Sequence, residues 1–255
     1  MNRIETLFQS KKQNILNVYC TAGYPLLDST LPVMLALQEN GVDMIELGMP
    51  YSDPLADGPV IQQSNMVALD NGMNIARLFE QLRGFRHQVY LPILLMGYMN
   101  PLLQYGFEKF CQHAADLAVD GLILPDLPIY EFENEYGGLI RKYGLSFIFL
   151  VTPETSEERI RKIDELSTGF IYAVSSSSTT GKDTNFDSQQ SYFERLKNMK
   201  LINPVLVGFG IKDRQTFSAA CMHANGAIIG SAYIKALGNS VDVYQDTKEF
   251  IGGIL

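Results

Sequence analysis

Two carboxylates in the first quarter of the chain have the residue types and surroundings for proton chemistry. Glu46 sits inside the apolar run Met44-Ile45-Glu46-Leu47-Gly48-Met49-Pro50. Side chains alternate faces along a strand, so Ile45 and Leu47 share one face and Met44, Glu46 and Gly48 the other. With Ile45 and Leu47 against outer helices, Glu46 points into the interior. A carboxylate there is costly unless it is paired or protonated. Two readings follow: a buried ion pair, or an acid whose perturbed pKa serves proton transfer. The loop Tyr51-Ser52-Asp53-Pro54-Leu55-Ala56-Asp57-Gly58-Pro59 comes next. Asp53 fits an Asx turn in a turn-rich loop. Asp57, just before Gly58-Pro59 and a helical pattern, is either a helix cap or a second acid facing Glu46 across a pocket mouth.

Three further stretches carry chemical potential. Ser175-Ser176-Ser177-Ser178-Thr179-Thr180-Gly181-Lys182-Asp183 is too polar to pack in a core. It is either a plain surface loop or a lid over residues 175–187 that closes on a substrate. Tyr172, three residues before it, lies in a strand and is placed to reach such a pocket. Gly208-Phe209-Gly210 and Gly230-Ser231 end two late apolar runs, and glycine-rich strand exits let backbone N–H groups approach an anion.

These residues need a frame. Short apolar, β-branched runs at about 15–22, 44–50, 90–98, 121–127, 146–152, 170–175, 204–210 and 227–231 alternate with amphipathic stretches. That alternation predicts βα units and a parallel sheet. Eight runs in 255 residues suit an α/β fold of the (β/α)₈ TIM-barrel type, one domain over 1–255 with active residues at the C-terminal strand ends. Ile4, Leu7 and Phe8 predict an N-terminal capping helix, and two helical patterns, 61–69 and 75–82, crowd the second crossover. A doubly wound open sheet is the alternative, but no Gly-x-Gly-x-x-Gly follows the first strand.

Bulk properties narrow the function classes. A formal charge of −8 argues against a general nucleic-acid or anionic-membrane binder. Cys20, Cys111 and Cys221 read as reduced thiols. His87, His113 and His223 form no zinc spacing, and Cys221 with His223 reads as a buried Cys and an exposed His on a helix rather than a metal site. Residues 1–14 lack the apolar centre of a secretion signal, and the most apolar stretch, broken by Pro92 and Gly97, is too short to span a bilayer. A cytoplasmic enzyme is expected.

The stretch from Glu46 to Pro59 closely resembles the signature of the tryptophan synthase alpha subunit family. Leu124-Pro125-Asp126-Leu127-Pro128, Gly208-Phe209-Gly210-Ile211 and Gly230-Ser231-Ala232 resemble further segments of that family in order and spacing. The resemblance implies retro-aldol cleavage of indole-3-glycerol phosphate to indole and glyceraldehyde 3-phosphate. It implies Glu46 as principal acid/base and Asp57 as second catalytic carboxylate. Tyr19, Tyr172 and Thr180 would line the substrate pocket, and Gly181, Gly210, Gly230 and Ser231 would bind phosphate. Asp53, Asp126 and Pro128 would contact a beta subunit in an alpha2beta2 heterotetramer. The chemistry calls for no metal, flavin or nicotinamide cofactor. One departure stands out: the family's lid often reads Ser-Arg-x-Gly-Val-Thr-Gly, and here Arg and the mid-loop Gly are replaced, with Thr180 and Gly181 retained and Lys182 a substitute source of positive charge.

Two competing readings differ in their requirements. Another phosphate-binding barrel, such as an indole-glycerol-phosphate synthase or a phosphosugar isomerase, would want a strand-end lysine or a base of other spacing, and none of the eight runs contains a lysine. A subunit that only regulates a partner would not need both carboxylates and both glycine-containing strand exits.

Overall fold

The computed structural model describes residues 2–174, 186–208, 210–238 and 240–255, with the side chains of 186–190 left aside. The apolar runs form parallel strands: β1 (Ile15–Thr21), β2 (Met44–Gly48), β3 (Ile93–Met96), β4 (Gly121–Ile123), β5 (Ser146–Ile148), β6 (Leu150–Val151), β7 (Ile171–Val174), β8 (Val205–Gly208) and β9 (Gly226–Ile229). Their order is β5-β4-β3-β2-β1-β9-β8-β7-β6. The two ends of this sheet, β5 and β6, are separated in the chain only by Phe149. The sheet therefore curls round until its ends meet in one interrupted stretch, and nine strands amount to the eight passes of a (β/α)₈ barrel. The strands are shorter than the apolar runs: the third begins at Ile93, not at the exposed Tyr90, and the fourth stops at Ile123, before the Pro125 turn.

Strand alternation sorts the core into two layers. Ile15, Met44, Leu94, Ile123, Ile148, Tyr172, Leu206 and Ile228 fill the barrel interior. Val18, Ile45, Leu47, Leu95, Leu122, Val207 and Ile229 pack outward with the surrounding helices. Both layers are apolar because every strand of a parallel barrel is covered on two faces. At the N-terminal end, the helix Arg3–Ser10 drives Ile4 into the interior cluster, with Leu7 and Phe8 against it. Its start is fixed by a capping box between Asn2 and Glu5. Asn2 also donates its side-chain amide to the Asp120 carbonyl at 2.8 Å and to Ser146 Oγ at 3.0 Å. Two helices, Pro59–Asp70 and Ile75–Gln81, occupy the crossover after β2, where the sequence shows two helical patterns.

Candidate active site

Glu46 lies at the centre of β2, paired in register with Tyr19 of β1 and Leu94 of β3. Its side chain shares the interior face with Met44 and is wholly buried. The Asn17 side-chain amide donates to Oε1 at 2.6 Å, while Oε2 has no partner. Among the described residues no Lys or Arg pairs with it, so the ion-pair alternative does not hold there. Burial raises its pKa to about 8, opposed by the Asn17 hydrogen bond. A buried carboxyl without a counter-charge keeps its proton because the charged form loses solvation.

Asp57 is not a helix cap. Gly58 occupies that position with Pro59 opening the helix, and no side chain caps it. The Asp57 carboxylate instead turns toward the end of β3, where Tyr98 Oη donates to Oδ2 at 2.9 Å. Tyr98 Oη in turn accepts from the Ala56 N–H at 3.0 Å, tying the loop down beside the acid. The Tyr98 ring packs against Tyr51 with centroids 5.4 Å apart, and Asn100 donates to Tyr51 Oη at 3.2 Å. Burial raises the Asp57 pKa to about 6, and the Tyr98 bond pulls it down. The two acids thus fall on opposite sides of neutrality, one protonated and one ionised.

Two buried tyrosines complete the interior wall. Tyr19 of β1 lies over Gly48, where a Cβ would sit 2.1 Å from its hydroxyl oxygen. Tyr172 of β7 lies over Gly208, where a Cβ would sit 2.4 Å from its hydroxyl. Each ring leans toward the C-terminal end of the neighbouring strand because glycine leaves the space. Burial raises the Tyr172 pKa, and the charges of Glu46, Asp57 and Tyr19 add to the rise. Tyr19 is raised by burial and then by Asp57. Tyr172 is thus within electrostatic reach of Glu46, Asp57 and Tyr19.

Gly230 follows β9 and precedes the helix Ser231–Leu237. It borders Tyr19 and Ile61, which a Cβ there would meet at 3.6 and 3.5 Å. Ser231 is exposed, as is Gly210 beyond β8, whose φ of +78° lies in the left-handed region. Gly208 and Gly210 on one strand end and Gly230 and Ser231 on the other therefore sit at neighbouring strand exits, the first beside Tyr172 and the second beside Tyr19. Thr180, Gly181 and Lys182 lie outside the described residues, as does most of the 175–187 stretch.

Asp53, Asp126 and Pro128 are exposed on the loops after β2 and β4. Asp53 accepts from Ser52 Oγ at 2.5 Å. Asp126 accepts the Met99 N–H with both oxygens, at 3.1 and 3.0 Å, and so joins the exits of β3 and β4. Leu55, 88% exposed, projects from the first of these loops, and Tyr130, 74% exposed, from the short helix Ile129–Glu131 that follows the second. Sequence reading passed over Asn17 and Tyr98. Asn17 carried a signal, a lone amide in an apolar strand; Tyr98 stood at the exit of the third run. Cys221 is half-buried at a helix end rather than fully buried, and His223, beyond that end, stacks on Phe193 at 6.1 Å. Among the described residues no group of three or more His, Cys, Asp or Glu is placed to hold a metal ion, and no helix is long and apolar enough to cross a membrane.

Comparison with known proteins agrees with this geometry. Residues 6–251 match the family model of the tryptophan synthase alpha chain. The chain is 51% identical over 255 residues to a tryptophan synthase alpha chain of Flavobacterium johnsoniae, covering 100% of both, and 53% identical over 238 residues to that of Parabacteroides distasonis, covering 93% of both. A solved structure of the subunit alpha from Legionella pneumophila superposes with a TM-score of 0.90 at 32% identity, covering 100% of this chain and 97% of that one. A chain of tryptophan synthase from M. tuberculosis in an aminoacrylate-bound form gives 0.86 at 30% identity, with 100% of both covered. An eight-pass barrel with two carboxyls at its mouth, matched along nearly its whole length by these relatives, belongs to the tryptophan synthase alpha chain family.

Proposed function

We propose that this chain, acting as one barrel domain over residues 1–255, cleaves indole-3-glycerol phosphate with Glu46 as proton shuttle and Asp57 as charge stabiliser. The cleavage, to indole and glyceraldehyde 3-phosphate, is the lyase reaction of its family in tryptophan biosynthesis. The protonated Glu46 delivers its proton to indole C3, and Asp57 stabilises the positive charge that develops toward the ring nitrogen. Glu46, now ionised, takes the proton from the carbinol hydroxyl. The new C=O forms as the bond to C3 breaks; the pair from that bond restores the C2=C3 double bond, and the C=N pair returns to the ring nitrogen. Glu46 ends the cycle protonated, so the reaction is balanced without a further reactant.

The observation that carries this reading is the pair of acids around one mouth with pKa values near 8 and 6. Separated values of this kind assign the acid and the anion. Tyr19 and Tyr172 supply apolar walls for a planar ring, with Thr180 a further contact. Gly210, Gly230 and Ser231, with Gly181, hold the phosphate through backbone N–H groups and a hydroxyl. Asp53, Asp126 and Pro128 form part of the surface that meets a beta subunit, in an alpha2beta2 assembly in the cytoplasm. Supplying indole-glycerol phosphate and measuring released indole, with and without a beta subunit, tests the whole reading. Indole release that rises on adding the beta subunit is expected; none in either case would overturn it.

A further inference from the structure

We infer that Asn17 is a positioning residue that gives the two oxygens of Glu46 separate duties: Oε1 is held, and Oε2 is left to carry the proton. The inference deepens the proton-shuttle reading above and rests on it. Asn17 stands in β1 between Leu16 and Val18, both wholly buried. Burying an amide in such a run is costly unless its polar atoms are bonded. Here only one bond is formed, Nδ2 to Glu46 Oε1 at 2.6 Å, and Asn17 Oδ1 remains without a partner. Asn17 pairs in register with Met44, which places it two residues along from Glu46 on the same interior face. A purely packing role would be better served by a leucine or valine, which buries no polar atom.

The bond suits both protonation states. When Glu46 is neutral, Oε1 is the carbonyl oxygen and accepts from Asn17, while Oε2 holds the hydrogen. When Glu46 is ionised, Oε1 keeps the same donor and Oε2 is free to accept. The proton therefore leaves and returns at one oxygen without rotation of the carboxyl. No other described group gives Glu46 a hydrogen bond. Glu46 acts on Cys20 of β1 and on Tyr172 of β7, and across the mouth Asp57 acts on the same Tyr172; Leu94 of β3 is apolar. The burial that raises Glu46 is opposed by Asn17 alone, so Asn17 is the side chain that keeps the ionised form within reach.

The test is Asn17→Leu, close in volume and without a donor, with Asn17→Thr as a smaller polar alternative should the first fail to fold. In Asn17→Leu, kcat for indole release should fall about tenfold and its alkaline limb should move up by about one pH unit, the worth of a hydrogen bond to a charged group. KM should stay within about twofold, since Asn17 acts on Glu46 rather than on substrate. In infrared difference spectra against Glu46→Gln, the protonated Glu46 carbonyl band should shift to higher frequency and persist to higher pH. A limb and a band unchanged in the folded variants would overturn the inference, because a structural role lowers stability without moving either. Glu46→Gln separates the two levels: if it retains indole release, the shuttle reading fails, whereas if it is inactive and Asn17→Leu leaves the limb in place, only the role of Asn17 fails.

Discussion

Near neutral pH, Glu46 keeps its proton and Asp57 has lost it, and this difference governs what each substitution does. Glu46→Gln preserves the shape and a group able to accept from Asn17 but cannot exchange a proton. Asp57→Asn can still meet Tyr98 but carries no charge. Each should lower indole release by about a thousandfold, within the span of general acid–base and electrostatic contributions, with circular dichroism unchanged. Retained activity in both would remove the assignment. In the parent protein, kcat should be bell-shaped, rising as Asp57 ionises at about 6 and falling as Glu46 ionises at about 8. A pH–rate profile that is flat from 5 to 9 in this sense would show that neither acid controls the chemistry.

At the scale of elements, the strands position the site through what they omit. Gly48 and Gly208 leave room for Tyr19 and Tyr172 to lie across neighbouring strands. Gly48→Ala would put a Cβ 2.1 Å from the Tyr19 hydroxyl, so the ring must move, at about 1–3 kcal/mol of overpacking. Thermal denaturation should show that loss, and KM should rise as the wall is displaced. Gly230 is different. A Cβ there meets Ile61 and Tyr19 only at ordinary contact distance, 3.5 and 3.6 Å. Gly230→Ala should therefore leave stability nearly unchanged while raising KM for the phosphorylated substrate about tenfold, since the backbone can no longer approach an anion closely. An unchanged KM would count against phosphate at that strand end.

For the molecule as a whole, the buried acids make stability depend on pH. Glu46 is raised from 4.5 to about 8. Between those values the folded state holds a proton that the unfolded chain has released, so stability falls as pH rises through this window and is greatest below it. Asp57 adds a smaller fall between 3.8 and about 6. Glu46→Gln should coincide with the parent below about pH 4.5 and exceed it at pH 8.5 by up to about 5 kcal/mol, measured by urea unfolding at each pH. A parent curve that rises over this window would contradict the burial of Glu46. The opposite end of the barrel offers the contrast. Asp120 is 3% exposed and binds Arg86 at 2.5 Å, Arg3 at 3.1 Å and the Ile93 N–H at 2.8 Å. Asp120→Ala strands a partly buried guanidinium and should cost about 3 kcal/mol, with kcat preserved because the network lies at the N-terminal end of the strands.

The sequence by itself determined the barrel and the direction of Glu46. Alternation between strand and helix patterns is local, and strand parity follows from backbone geometry, so both were legible residue by residue. The family signature from Glu46 to Pro59 was equally local. Only the tertiary structure decided where Asp57 points. Its position before Gly58-Pro59 fits a helix cap, and the choice fell to Tyr98, 41 residues away, whose hydroxyl takes the carboxylate and whose ring is seated on Tyr51. Asn17 is the same kind of case. As a lone amide it looks like an interruption of β1, and its meaning comes from the parallel pairing that sets it opposite Met44, within hydrogen-bond reach of Glu46, 29 residues on. Long-range pairs of this sort are created by barrel closure, which no local pattern encodes, and they temper the rise that burial gives the two acids on which the chemistry depends.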